Sequence, residues 1–237
     1  MIFDQSEYNI RCEWGEKGAS LLAPVSDVII IVDILSFSTS VEIATLRGAF
    51  VFPYRWKDQT AYQFADSVAA QVADGRSEKG YSLSPSTLQT LPPRTRIVLP
   101  SPNGSEISLS TGSRTTIAGC LRNCRAVAES AMRKGANIAV IPAGERWEEN
   151  TLRPSLEDLI GAGAIIRHLR GTLSPEAEAA LAAFERAAST LLSHIERCSS
   201  GKEKISRGEG IDIKLASELN VSQCVPILEN GSFRKEG

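Results

Sequence analysis

The sequence predicts an α/β protein, a three-layer α/β/α arrangement around a mainly parallel sheet, and three observations carry that expectation. Short β-branched runs alternate with amphipathic stretches of ten or more residues, as in successive βαβ units. The most apolar run, Val28-Ile-Ile-Ile-Val32, is continuous rather than alternating, the pattern of a strand covered on both faces. It ends on Asp33 and leads straight into a helical pattern, so strand, turn and helix follow without a linker.

The helix after Asp33 spans 36–47, with Phe37, Val41, Ala44 and Leu46 at helical spacing and Gly48 as its C-terminal stop. Residues 49–53 form a second strand. Residues 58–72 are amphipathic behind a cap at Asp58, and 77–93, rich in Ser, Pro and Gly, form a surface loop. Residues 96–100 and 138–141 are strands, and between them 122–134 is a helix closed by Gly135. Ser155 opens a helix that runs to about residue 169. Gly161 and Gly163 lie inside it, each costing about 1 kcal/mol there, which predicts close approach of another backbone. Ser174 as cap and Pro175 in the first turn start an Ala-rich helix to 195. Residues 201–210 have the composition of a polar connector, 212–219 of a short helix and 224–228 of a last strand. No linker interrupts the chain, so 1–237 is expected to form a single α/β domain.

Composition narrows the function classes. The 237 residues carry 26 Lys and Arg against 28 Asp and Glu, a net charge of −2, which argues against a nucleic-acid or anionic-membrane binder. No apolar run approaches the roughly 20 residues a membrane span needs, and the first 14 residues lack the pattern of a signal peptide. Five scattered cysteines (Cys12, Cys120, Cys124, Cys198 and Cys224) fit free thiols in a cytoplasmic protein better than a disulfide framework or a zinc site. With only His168 and His194, both in helical segments, a Ser-His-Asp triad is disfavoured.

In parallel sheets, ligands sit where strand ends lead into helix N-termini, which selects three junctions. At the first, Asp33 precedes Ser36, Ser38, Thr39 and Ser40. Its carboxylate could bind a metal or act as nucleophile, with hydroxyls and free N–H groups holding an anion; the plain alternative is a capped turn. A haloacid-dehalogenase motif is excluded because Leu35 stands where the second Asp is needed. At the second, Pro-Asn103-Gly104-Ser105 offers an amide and backbone donors, or is an ordinary turn; it lacks the spacing of a Walker A loop. At the third, Gly144-Glu-Arg146 leads through Arg153 to Glu157 and Asp158. The two acids either favour the helix dipole or join Asp33 around a hard cation, and Mg²⁺ suits a chain rich in oxygen ligands and poor in histidine.

Taken in order, the segments VDILSFSTSVEIATLRGA (32–49), LPSPNGSEIS (99–108), GCLRNCRAVAESA (119–131), IPAGERW with LRPSLEDLIGAGAII (141–166) and VPILENG (225–231) resemble the 2-phosphosulfolactate phosphatase family over roughly 25–230. The resemblance implies a three-layer α/β/α fold and Mg²⁺-dependent hydrolysis of a phosphomonoester, in the family's case 2-phosphosulfolactate, on the route to coenzyme M. On it, Asp33 matches the strand-end acid, Asn103 and Gly104 the Asn-Gly-Thr turn, Asn123 the Gly-x-x-x-Asn segment, and Gly144, Glu157 and Asp158 the Ala-Gly and Ser-Leu-Glu-Asp segment. Two departures stand out: Ser36 replaces the family's Arg, and residues 73–88 are shortened, with only Arg76 and Ser84-Pro85 echoing the family.

The reading that follows is a Mg²⁺-dependent phosphatase acting on a small anionic phosphomonoester, 2-phosphosulfolactate or a related 2-phospho acid. Asp33 with Glu157 or Asp158 would hold the metal, while Ser38, Thr39, Ser40, Asn103, Gly104 and Ser105 cradle phosphate oxygens. Asn123 and Gly144 join the substrate site, and Arg146 and Arg153 supply positive charge. The nucleophile, water or Asp33 itself, stays open, as does a homodimer; neither nucleic acid nor membrane is a partner. The competing readings are a non-catalytic small-anion-binding protein that retains the fold, and a lyase or other hydrolase acting on an unrelated carboxylic acid.

Overall fold

A computed structural model describes residues 2–75, 80–112 and 114–237; the Arg76 echo lies outside them. Its nine-stranded sheet has two parallel parts. One contains β1 (Ile10–Cys12), β7 (Ile138–Pro142), β2 (Val28–Val32) and β6 (Thr115–Gly119); the other contains β3 (Phe50–Tyr54), β5 (Arg96–Pro100) and β4 (Gln71–Val72). Between them sits the hairpin β10 (Pro226–Glu229) and β11 (Ser232–Lys235), antiparallel to β6 on one side and to β3 on the other. Three antiparallel junctions in succession reverse the direction, so the two parallel parts run opposite to each other. The expected three-layer, mainly parallel architecture is present, with that inversion at its centre.

The continuous apolar run of β2 is explained by what covers it. Val28, Ile30 and Val32 pack with Val127 and Ala131 of α6 (Cys124–Lys134) and Ile160 and Ile165 of α7 (Leu156–Ile166). The alternate residues Ile29 and Ile31 pack with Ala19 and Leu22 of α1 (Gly15–Leu22) and Ile107 of α5 (Gly104–Ser110). Alternation across the pleat therefore needs apolar residues at every position. In the other half, α2 (Phe37–Leu46) and α4 (Pro85–Leu88) cover one face, and α3 (Gln59–Ser67) the other.

Several expected boundaries move. The 58–72 helix ends at Ser67, turns through Ala69 at φ 48° and gives way to β4. The helix expected over 175–195 divides into α8 (Pro175–Ala187), a 3₁₀ turn and α9 (Leu191–Arg197). The expected connector 201–210 is largely helix: α10 (Ser199–Ser206) is capped by the Cys198 sulfur accepting from the Gly201 amide, and α11 (Gly210–Ala216) follows. The last strand is half of a hairpin, whose Asn230-Gly231 turn has φ of 50° and 77°, the left-handed pair such two-residue turns require. No helix among the described residues is long and apolar enough to cross a membrane.

The two helix glycines behave as expected. A Cβ on Gly161 would stand 2.5 Å from Ile34 Cδ1, and one on Gly163 only 2.0 Å from the Ala180 carbonyl oxygen of α8. Gly163→Ala is therefore expected to push α8 off α7 and lower stability by about 1–3 kcal/mol. Urea unfolding measures this, and an unchanged midpoint would contradict the close packing.

Candidate active site

The turns after β2, β5 and β7 meet through carboxylates that accept backbone hydrogen bonds. Asp33, buried at the end of β2, accepts from the Phe37 amide at 2.9 Å through Oδ1 and from the Gly104 amide at 3.1 Å through Oδ2. It thereby caps α2 and α5 together, which a carboxylate does well because both helix N-termini present free donors. Gly104 is required by this closeness: a Cβ there would lie 2.2 Å from the Phe37 ring and 2.8 Å from Asp33 Oδ2. Asp158 makes a second tie, accepting from the Ile34 amide at 2.7 Å and the Gly144 amide at 2.9 Å. Its carboxylate thus crosses to neighbouring turns, while Ser155 makes no side-chain cap.

A cavity of about 260 Å³ opens above Asp33. Asp33, Ser36, Asn103 and Glu145 line it on one side, and Lys204 and Arg207 enter from α10. Glu145 begins the short hairpin β8 (Glu145–Arg146) and β9 (Leu152–Arg153), and its Oε2 accepts from the Asn103 amide at 2.8 Å. With its own capping role taken by Asp33, Ser36 keeps a buried Oγ with no hydrogen-bond partner at the cavity wall.

Crowding of acids raises their proton affinity. Burial pushes the Asp33 carboxyl up to about 6, against the lowering effect of the Phe37 and Gly104 amides, with Glu157 raising it further and Lys204 opposing. Glu145 is pushed up to about 7, by burial first and then by Asp33, with the Asn103 amide opposing. Asp158 is raised by burial, Glu157 and Asp33.

Of the residues singled out in the sequence, Asp33 and Asn103 line this cavity. Glu157 and Asp158 are buried beside it rather than lining it; the charge of Glu157 raises Asp33, and that of Asp33 raises Asp158. Three of the four hydroxyls of the first turn are committed to backbone: Ser38 donates to the Ile31 carbonyl at 2.9 Å, Thr39 to that of Ile34 at 2.9 Å and Ser40 to that of Leu83 at 2.7 Å. Ser105 donates to the Leu99 carbonyl at 2.9 Å, and the Gly104 and Gly144 amides are taken by Asp33 and Asp158. Asn123 is fully buried, accepting from the Cys120 amide at 2.8 Å and donating to the Cys224 carbonyl at 2.9 Å, so it ties β6 to the segment before the hairpin. Arg146 pairs with Glu106 and donates to the Pro102 carbonyl at 3.2 Å, lining a neighbouring cavity with Trp14 and Leu152. Arg153 lies over the Trp147 ring and donates to Ser200 Oγ at 3.3 Å, at the edge of the main cavity. Sequence reasoning passed over Glu145, Lys204 and Arg207. Glu145 carried a usable signal, an acid directly after the strand-end Gly144, whereas the α10 pair carried none beyond its charge.

A family model described as 2-phosphosulpholactate phosphatase matches residues 19–231. A protein of Thermotoga maritima named probable 2-phosphosulfolactate phosphatase is 29% identical over 223 residues, which is 90% of this chain and 96% of its own length. One from Carboxydothermus hydrogenoformans with the same name is 28% identical, covering 84% of each chain. The Methanothermobacter thermautotrophicus protein named 2-phosphosulfolactate phosphatase is 28% identical over 87% of this chain and 88% of its own.

Because Asp33 and Glu145 hold protons more tightly than their ordinary values of 3.8 and 4.5, the folded state binds protons that the unfolded chain has released. Stability contributed by these groups is fully present below about pH 4 and falls as pH rises to about 7. Glu145→Gln is expected to raise the thermal midpoint at pH 8, by about 2–4 °C for each kcal/mol relieved, and to leave it unchanged near pH 4. Thermal scans in EDTA at both pH values measure the difference; equal midpoints at pH 8 would show that the acids do not strain the fold.

Proposed function

The chain belongs to the 2-phosphosulpholactate phosphatase family, and from that premise we propose that it is a cytoplasmic, Mg²⁺-dependent phosphatase of a small anionic phosphomonoester, 2-phosphosulfolactate or a related 2-phospho acid. The observation that carries this reading is the cavity itself, where two carboxylates with raised proton affinity face two cations across a space suited to a small metabolite. The cytoplasmic part rests on five cysteines that are all free and buried.

The donor set fits a hard cation. Among the described residues no group of three or more His, Cys, Asp or Glu forms a ready-made metal cage. Mg²⁺ does not need one, since it takes one or two carboxylates and fills its other positions with water and phosphate oxygens. Glu203 at the cavity wall is paired with Arg207, so Asp33 is the carboxylate, and the unpartnered Ser36 Oγ the further oxygen, that would hold the ion. These residues, rather than Glu157 or Asp158, are the ones we assign to Mg²⁺. When bound, the ion neutralises phosphoryl charge and polarises the phosphorus centre.

The chain's own groups then divide the work. Asp33, fixed by two amides, presents a carboxylate of constant orientation toward the phosphoryl group. Glu145, near neutrality in its proton affinity and held by Asn103, takes a proton from the attacking water and returns it to the leaving ester oxygen as the P–O bond breaks. Glu157 keeps the proton affinity of both acids high, and Asp158 holds the turns in register.

Phosphate release from 2-phosphosulfolactate should require Mg²⁺, stop with EDTA, and fall by about 10²–10⁴-fold in Glu145→Gln. Asp33→Asn, checked for folding by circular dichroism, should lose turnover as well. Retention of activity in EDTA would remove the metal from the reading, and undiminished turnover in both variants would move the chemistry to another part of the molecule.

A further inference from the structure

We propose that Lys204 and Arg207 of α10 are specificity-determining residues, which bind the second acid group of the substrate (the carboxylate or sulfonate carried near the phosphoester) while the opposite wall handles the phosphoryl group. This rests on the phosphatase reading for the phosphoryl half only.

The cavity is electrically divided. Asp33 and Glu145 line one side, and the other carries Glu203 with Lys204 of α10 and Arg207, the residue that ends that helix, these two being the cations among the described lining residues. Arg207 follows Lys204 by three residues at the C-terminal cap of α10, and both line the same cavity, so both can meet the same ligand group. Lys204 is oriented inward: its side chain is 16% exposed, and its charge opposes the upward pull on Asp33. Lys204 Nζ meets Glu209 Oε2 at 2.7 Å, and Arg207 pairs with Glu203 in the next turn back. Glu203 and Arg207 are exposed and Glu209 is half-buried, and pairs open to solvent are worth little, so an incoming anion can compete for the cations.

A second observation points to a ligand in the same space. Ser36, 3% exposed, lines the cavity with an Oγ that has no partner, and a buried hydroxyl is ordinarily hydrogen-bonded. The other arginines near the site do not supply the need. Arg146 is held by Glu106 and the Pro102 carbonyl and faces the neighbouring cavity, and Arg153, over Trp147 and bonded to Ser200 at the cavity edge, does not line the cavity itself. The proposed Mg²⁺ would offset the phosphoryl charge, and the second acid group still needs a cation of its own, which Lys204 and Arg207 are placed to provide. A volume of about 260 Å³ admits a three-carbon phospho acid and leaves little room for a larger leaving group.

The test compares two esters that differ in the second acid, 2-phospholactate and ethyl phosphate, in the presence of Mg²⁺. In the double variant Lys204→Met/Arg207→Met, KM for 2-phospholactate is expected to rise about 10–100-fold, from loss of charged hydrogen bonds, with kcat/KM for ethyl phosphate within about threefold of wild type. The charge-keeping pair Lys204→Arg/Arg207→Lys should recover most of the discrimination, which a fold defect would not. Equal losses on both esters, or equal losses in the charge-keeping and charge-removing variants, would overturn the assignment. Calorimetry with 3-sulfolactate separates this from failure of the phosphatase reading. If wild type hydrolyses neither ester but binds 3-sulfolactate and the Met variant does not, the α10 assignment stands and the phosphatase reading falls. If wild type neither hydrolyses nor binds, the assignment falls.

Discussion

The site depends on a single carboxylate shared by two helices. Asp33 sits at the end of the most buried strand and gives one oxygen to the Phe37 amide and the other to the Gly104 amide. A buried charge is costly unless its lone pairs are met, and here the donors come from two turns that belong to opposite halves of the sheet. Both turns are held by the same group. Gly104 leaves no side chain in the way, and Phe37 fills the space beside it. Asp158 repeats the device one layer over, joining the turns after β2 and β7.

This economy has an electrostatic result. Fixing turns with carboxylates concentrates negative charge where the turns converge, and burial together with mutual repulsion raises the proton affinity of Asp33, Glu145 and Asp158. Asp33 and Glu145 are thereby raised to about 6 and about 7, the range that catalytic acids and bases share. The hydroxyls of Ser38, Thr39 and Ser40 serve the framework instead, bonding to strand and loop carbonyls.

Much of this was legible in the chain. The uninterrupted apolar run of 28–32 announced a strand covered on both faces, and the strand-end rule led to Asp33 and Asn103. Gly161 and Gly163 announced a close helix contact, and their absent side chains meet Ile34 and Ala180. Local pattern failed where distant parts meet. Residues 199–206 are mostly polar, so their helix has little apolar stripe, and nothing local shows that Lys204 and Arg207 reach a cavity built by residues near 33 and 103. The Asn230-Gly231 turn was a readable hairpin signal, but the place of that hairpin in the sheet depends on strand order, which no short window encodes.

That hairpin has a consequence for how the molecule is made. β10 and β11 are the last strands in chain order, yet they form the seam between the two parallel parts, meeting β6 through Ile227 and Ile117 and β3 through Phe233 and Val51. During synthesis, every other strand leaves the ribosome before the piece that joins them. Until it arrives, β6 and β3 each have a bare backbone edge, the kind of surface that invites pairing with another chain. The Asp33 carboxylate can already tie the turns of the two halves, and the hairpin then acts as the keystone that shields both edges.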